Sequence, residues 1–130
     1  MNIPLNSDNF HFSLNSDGFS WNLRCPQKQT LELKSVHMKV EYLWAGRLKQ
    51  TGLYWRSNQV REPHTLLSPL GELQIIDIYP SPDALGLEYK LSFAITDQHK
   101  LFLWKLFITN HGNSPVQIER ITLFDLGEPE

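Results

Sequence analysis

The amino-acid sequence predicts an all-β fold, an antiparallel β-sandwich built from many short strands. Several segments place apolar residues at every second position, which is the period of a strand with one buried face. Clusters of glycine, proline, asparagine, aspartate and serine separate these segments and predict turns. No segment of useful length shows a helical period. Short strands joined by turns pack as two sheets around one core, which is the architecture we expect.

The strongest strand pattern lies in residues 87–96, where apolar and polar side chains alternate. This pattern predicts a strand with one face on the core. The following run, residues 101–108, is apolar on both faces apart from Lys105. It predicts a central strand that protein covers on both sides, from which the lone lysine reaches solvent.

A third strand is predicted after a turn at residues 110–115. Its apolar positions begin in one phase and then slip between Ile118 and Ile121. An extra residue on one strand of a pair produces such a slip, so we predict a β-bulge near Glu119 and Arg120.

The N-terminal part of the chain predicts a β-hairpin followed by a long strand. Residues 10–14 and 19–23 each alternate, and a turn-forming quartet at 15–18 separates them. The long strand covers residues 31–44, and its apolar phase shifts near the start. A turn is expected at residues 45–46.

Residues 47–70 form the longest poorly patterned segment, interrupted by glycine and proline. A loop of this length is unusual inside a compact domain, so the segment either hides irregular strands or projects toward a partner. Residues 72–79 return to a strand pattern, and a proline-rich turn at 80–83 ends it.

The composition is that of one soluble domain. The chain has 130 residues, of which 41% are hydrophobic and 20% are charged. We expect a single domain over residues 1–130, with the polar residues 125–130 as a linker or a truncated boundary. The formal net charge is −2, so the composition indicates no basic surface. Nucleic acid binding is therefore disfavoured.

The single cysteine, Cys25, has no partner for an internal disulfide, which fits a reducing compartment. No signal peptide and no apolar run of membrane-spanning length is visible, so we expect a cytoplasmic protein without membrane contact. The histidines are scattered, and no nucleotide-binding or nucleophile motif occurs. We therefore expect no metal, no cofactor and no catalytic residue.

The candidate binding residues are aromatic. Trp104 and Trp21 are expected in the core, whereas Tyr54, Trp55 and Arg56 lie in the poorly patterned segment. Exposed aromatic rings stack on the C–H faces of sugars, so this trio is a candidate sugar-binding surface. The alternative is a set of loop aromatics folded back onto the sandwich or docked against a neighbouring domain.

The end of the chain resembles a known family. A strand ending in asparagine, a short turn and a following Val-x-Ile-x-Arg-Ile-x-Leu strand are similar to the last part of the N-terminal β-sandwich of family-36 glycoside hydrolases, the bacterial α-galactosidase type. The matching residues are Asn110, Pro115, Val116, Ile118, Arg120, Ile121 and Leu123. The resemblance implies a supersandwich-like fold.

Members of that family continue into a (β/α)₈ barrel that carries the catalytic aspartates, whereas this chain reaches Glu130 before any barrel begins. The resemblance therefore implies a module without activity of its own, which packs on a catalytic barrel in the same chain or another subunit and supports a sugar site or a homo-oligomer. By position, Trp44 or the loop with Tyr54 and Trp55 would reach a neighbouring active site. A stand-alone carbohydrate-binding module and a scaffold without sugar ligand remain the alternatives.

Overall fold

The computed structural model of the chain describes residues 4–27, 32–98 and 100–125, with side chains up to residue 122. These residues form two antiparallel sheets, which confirms the predicted all-β sandwich. The first sheet has the order β1-β2-β3-β4-β10, and β5 also pairs with β4. The second has the order β6-β7-β8-β9. The strands are β1 (Leu5–Asn6), β2 (His11–Leu14), β3 (Trp21–Arg24), β4 (Glu32–Trp44), β5 (Arg47–Gly52), β6 (His64–Ser68), β7 (Gly71–Ile78), β8 (Leu87–Thr96), β9 (Leu101–Asn110) and β10 (Gln117–Asp125).

An aromatic cluster joins the two sheets at the centre of the core. The ring of Phe12 in β2 lies 4.6 Å from that of Phe93 in β8, measured between centroids, and Trp21 in β3 lies 5.5 Å from the same Phe93. Phe102 and Trp104 of β9 extend the cluster. Trp21 is fully buried and Trp104 is half-buried against the core, as the sequence predicts for both rings.

Two backbone irregularities explain the two apolar phase slips. Ser35 has a φ of 54° inside β4, and the β3–β4 register shifts beside it. Leu33 and Val36 consequently follow different phases. The second irregularity lies between Ile118 and Arg120, where β10 changes register against β4. This confirms the bulge predicted near Glu119 and Arg120.

The prediction of β9 as a central strand is wrong. Among the described residues β9 pairs only with β8 and forms an edge of its sheet. Its inward-facing side chains are only half-buried, and Phe107 on the outer face is 47% exposed. The reason is the connection after β9, which carries the chain into the other sheet, where β10 pairs with β4. The central strand is β8, which lies between β7 and β9.

The poorly patterned residues 47–70 contain β5, a 3₁₀ helix at Ser57–Gln59 and β6. The segment therefore hides short strands, which was one of the two expected outcomes. Ala45 and Gly46 connect β4 to β5, and both have positive φ, as the tightest hairpin turns require. Of the predicted linker, residues 126–130 lie outside the described part of the chain.

Candidate functional site

The predicted trio Tyr54, Trp55 and Arg56 follows β5 in a segment without regular secondary structure. The structure gives the three side chains different surroundings. Tyr54 is 58% exposed, whereas Trp55 is only 6% exposed, and Arg56 lies at the surface. Trp55 is therefore folded back onto the sandwich, which was one of the two expected outcomes, whereas Tyr54 is exposed.

Trp55 and Arg56 line a cavity of about 710 Å³, which we call the hairpin cavity. It lies between the β2–β3 turn and the segment from Trp55 to Pro63. Buried residues of both sheets, Leu14 and Ile76, contribute to its apolar wall. The remaining lining residues are Pro4, Asn15, Ser16, Asp17, Gly18, Ser57, Val60, Arg61, Glu62 and Pro63.

A backbone contact between Gly18 and Trp55 fixes the wall of this cavity. The amide N–H of Trp55 donates to the carbonyl oxygen of Gly18 at 2.7 Å. Gly18 has a φ of +79°, and a Cβ atom at this position would lie 2.6 Å from the carbonyl oxygen of Trp55. Only glycine fits this approach without strain.

Asp17 holds the turn on the other side of the contact. Its carboxylate accepts hydrogen bonds from the amides of Phe19 and Ser20, at 3.0 and 3.1 Å, and from the Ser20 hydroxyl at 2.7 Å. Burial raises the pKa of Asp17, but these hydrogen bonds outweigh it and lower the pKa below the ordinary value. The Asp17 carboxylate is therefore ionised at neutral pH, and its hydrogen bonds stabilise the turn.

The indole Nε1 of Trp55 is buried and has no hydrogen-bond partner among the described residues. A buried donor without a partner is uncommon in folded proteins and is unfavourable by about 1–3 kcal/mol. The hairpin cavity thus combines an apolar wall with the charged side chains of Arg56, Arg61 and Glu62.

Tyr54 lies outside the hairpin cavity and belongs to an aromatic platform formed by Phe19, His37 and Tyr54. The rings of Phe19 and Tyr54 are 5.4 Å apart, and those of Phe19 and His37 are 5.6 Å apart in edge contact. Gly52 lets the Tyr54 ring lie close, because a Cβ atom there would be 2.9 Å from ring atom Cε2. A shallow cavity of about 390 Å³, lined also by Gln50, adjoins the platform.

Sequence reasoning missed Phe19 and His37. The alternation of residues 19–23 predicts an inward-facing Phe19, but β3 begins only at Trp21. Phe19 therefore does not follow the alternation of that strand. His37 lies between the buried residues Val36 and Met38 of β4, and the structure places its ring against that of Phe19.

Trp44 is separate from these residues. It lies at the end of β4, is half-buried and packs against the core. It lines neither the hairpin cavity nor the cavity beside the aromatic platform. The four predicted site residues thus fall into three places rather than one.

One side of the sandwich is open. Ile118 of β10 pairs with Tyr42 of β4, and Ile121 pairs with Val40, so both isoleucines face the inside of the sandwich. Tyr42 and Val40 are 1% and 0% exposed, whereas Ile118 and Ile121 are 38% and 42% exposed. The second sheet does not cover the inner face of β10. We call the exposed inner face of β10, with Ile118 and Ile121, the open side.

Among the described residues, no group of His, Cys, Asp and Glu side chains could hold a metal ion. No helix in this part of the chain has the length and hydropathy needed to cross a bilayer. No protein-family model, curated protein or solved structure matches the chain. The likeness to family-36 glycoside hydrolases therefore stays a prediction from the residues between Asn110 and Leu123.

Proposed function

We propose that the chain is a non-catalytic accessory β-sandwich of an α-galactosidase-like glycoside hydrolase. In this proposal it docks through the open side against a catalytic (β/α)₈ barrel, in the same chain or in another subunit. The observation that carries the proposal is the exposure of Ile118 and Ile121 on a face that is otherwise buried.

The energetics of this face favour a partner. Full burial of an isoleucine side chain is worth about 1.5–3 kcal/mol. Since Ile118 and Ile121 are each about two-fifths exposed, covering them would recover roughly 1 kcal/mol per residue. Apolar residues clustered on an inward face mark an interaction surface more strongly than single exposed residues do.

The carboxylates support a role without catalysis. Hydrolysis of a glycosidic bond uses two facing carboxyl groups, one of which has a raised pKa and donates a proton. Asp17 and Glu62 are the carboxylates that line the hairpin cavity. Asp17 has a lowered pKa and accepts three hydrogen bonds from its own turn, so it is a poor proton donor.

The test is complementation. The chain is co-expressed with the catalytic barrel of a family-36 α-galactosidase that lacks its own N-terminal sandwich. We expect the two to elute as one complex and the barrel to hydrolyse a nitrophenyl galactoside, which the isolated chain does not do. Ile118→Asp should abolish the complex, whereas Leu67→Asp, at a β6 position that is 83% exposed, should not. Separate elution with no gain in activity would contradict the proposal.

A carbohydrate-binding module is the second candidate, and the aromatic platform favours it. Tyr54 is a large exposed ring whose centroid lies 5.4 Å from that of Phe19, and exposed aromatic rings of this kind can stack on a sugar face. Titration with galactosides and common polysaccharides should then shift the resonances of Tyr54, and Tyr54→Ala should remove the effect. Leu48→Ala, at a position that is 63% exposed, is the matched control. Absence of any shift at millimolar ligand would exclude this candidate.

A further inference from the structure

We propose that the outer face of the second sheet binds the same face of a second copy of the chain. The contact is face to face, with a two-fold axis parallel to β8, so that β7 of one copy lies over β9 of the other. This surface is separate from the open side, which belongs to β10 of the first sheet. The inference therefore goes beyond the proposed function and does not depend on a catalytic barrel.

The outer face of the second sheet is apolar over part of its area. Residues that form or pack on the core occupy every second position of β7, β8 and β9, so the residues between them point outward. In an antiparallel sandwich such an outer face is normally polar. Here it carries Leu73 and Ile75 of β7, Ala94 of β8, and Leu101 and Leu103 of β9. The four larger side chains are half-buried, and none of them packs against the core cluster.

Strand register arranges this patch in a row across the sheet. Ile75 pairs with Ala94, and Ala94 pairs with Leu103. A small side chain therefore lies between two larger aliphatic ones. Contiguous apolar side chains on an otherwise solvated face mark an interaction surface.

The next row of the outer face carries two opposite charges. Asp77 of β7 pairs with Ser92 of β8, and Ser92 pairs with Lys105 of β9. The backbones of Asp77 and Lys105 are two strand spacings apart, about 10 Å. Neither side chain has an ion pair among the described residues. The two charges thus lie at similar distances on either side of β8.

A two-fold axis parallel to β8 makes this pattern complementary to itself. Rotation about the axis exchanges the positions of β7 and β9, so Asp77 of each copy faces Lys105 of the other. Ile75 faces Leu103 in the same way. Sheets that pack face to face lie about 10 Å apart with nearly aligned strands, which is the geometry that this contact requires. The charge pattern therefore favours a second copy over a partner that carries charges of one sign.

Two features limit the strength of the association. The patch spans only three strands and is smaller than the roughly 800 Å² that each partner buries in a standard interface. One row beyond Asp77, the outward-facing Lys90 of β8 would lie on the axis opposite Lys90 of the second copy. Like charges that face each other are destabilising. We therefore expect a weak, reversible dimer, which Lys90→Ser should strengthen about threefold.

The test is self-association of the full chain, measured by sedimentation equilibrium at low salt from micromolar to millimolar concentration. We expect a dimer, together with concentration-dependent shifts of the Ile75 and Leu103 methyl resonances in NMR spectra. Leu103→Glu should abolish the dimer. The control is Leu67→Glu, because Leu67 is 83% exposed and pairs with Glu72, on the opposite face of the sheet from Ile75. This control should dimerise like the wild type.

Charge exchange tests the two-fold geometry. Asp77→Lys brings two ammonium groups together at both ends of the row, and Lys105→Asp brings two carboxylates together. Each variant alone should therefore dimerise about tenfold more weakly than the wild type. In an equimolar mixture the lysines of one variant face the aspartates of the other, so the mixture should associate about as strongly as the wild type. A folding defect in either variant could not produce this recovery.

Three results would overturn the inference. These are a monomer at millimolar concentration, a dimer that neither charge variant weakens, or a mixture that associates no more strongly than its two components. A dimer that Ile118→Asp abolishes and Leu103→Glu leaves intact would place the contact on the open side, which also contradicts the inference.

Discussion

Replacing Asp83 should destabilise the fold, because this residue connects the two sheets. Tyr42 belongs to the first sheet and Tyr89 to the second, and both hydroxyls donate to Oδ2 of Asp83, at 2.7 and 3.0 Å. The amides of Leu85 and Leu87 donate to Oδ1, at 3.0 and 3.1 Å. One carboxylate therefore joins both sheets to the loop before β8.

The expected loss of stability in Asp83→Ala comes from the hydrogen-bond donors that lose their acceptor. Asp83→Ala removes the acceptor of two buried tyrosine hydroxyls, and each buried group without a partner is unfavourable by about 1–3 kcal/mol. We expect the free energy of unfolding to fall by about 3–5 kcal/mol, a large fraction of the roughly 5–15 kcal/mol of a typical domain. Asp83→Asn keeps one acceptor oxygen and should lose about 1–2 kcal/mol.

Urea denaturation, followed by tryptophan fluorescence, measures these differences. The control is the triple variant Asp83→Ala with Tyr42→Phe and Tyr89→Phe, in which the orphaned hydroxyls are gone. It should be more stable than Asp83→Ala alone, because removing both partners of a hydrogen bond is less harmful than removing one. A loss below about 1 kcal/mol in Asp83→Ala, or a triple variant that is less stable still, would refute the reasoning.

The hydrogen bonds between Asp83 and the two tyrosines make the stability of the fold depend on pH. Burial raises the pKa of Asp83, but the hydrogen bonds of Tyr42, Leu87, Leu85 and Tyr89 outweigh it, and the folded pKa is lowered. The stabilisation is therefore complete above the unfolded value of about 3.9 and is lost as pH falls through the folded pKa. Burial and the neighbouring Asp83 carboxylate raise the pKa of Tyr42 to about 12. The hydrogen bond of Tyr42 therefore stabilises the fold fully below about pH 10, and this stabilisation is lost as the pH rises through the folded pKa. The stability difference between wild type and Asp83→Asn should shrink in acid, and a constant difference would contradict this linkage.

Three further substitutions test local geometry by denaturation and fluorescence. Gly18→Ala forces a Cβ atom against the backbone of Trp55 and should destabilise the fold by about 2–4 kcal/mol, with a changed tryptophan spectrum; wild-type stability would contradict the contact. Gly52→Ala displaces only the exposed ring of Tyr54 and should lose less than about 1 kcal/mol, so a loss equal to that of Gly18→Ala would count against the platform geometry. Ala45→Asn should gain about 0.5–1 kcal/mol, because asparagine tolerates the φ of 50° better than alanine, and a loss would show that this turn geometry is wrong.

Much of the fold was predictable because alternation reports burial directly. The pattern of residues 87–96 matched β8, and the slip between Ile118 and Ile121 located a bulge before any pairing was known. The position of β9 was not predictable in the same way. Apolar residues on both faces indicate that a strand can be buried on both faces. They do not say which strands pair with it, because that depends on the sheet that the following segment joins.

The candidate site was only partly predictable for a related reason. The sequence identified Tyr54, Trp55 and Arg56 as unusual, but their surroundings depend on the contact between Gly18 and Trp55, which are distant in sequence. A backbone approach of this kind leaves no periodic pattern. The separation of Tyr54 from Trp55 therefore required the structure.

Two of the three strands that pair with β4, namely β5 and β10, have consequences for the order of folding. On one edge β4 pairs with β5 through a two-residue turn, a local contact that forms quickly. The other edge of β4 pairs with β10, which lies at the C-terminal end of the described residues. Closing so long a loop is slow, so we expect a nascent chain to carry an unpaired β4 edge until residue 125 has left the ribosome. Aggregation during synthesis should therefore begin at β4, and a chain truncated before Gln117 should be the least soluble form.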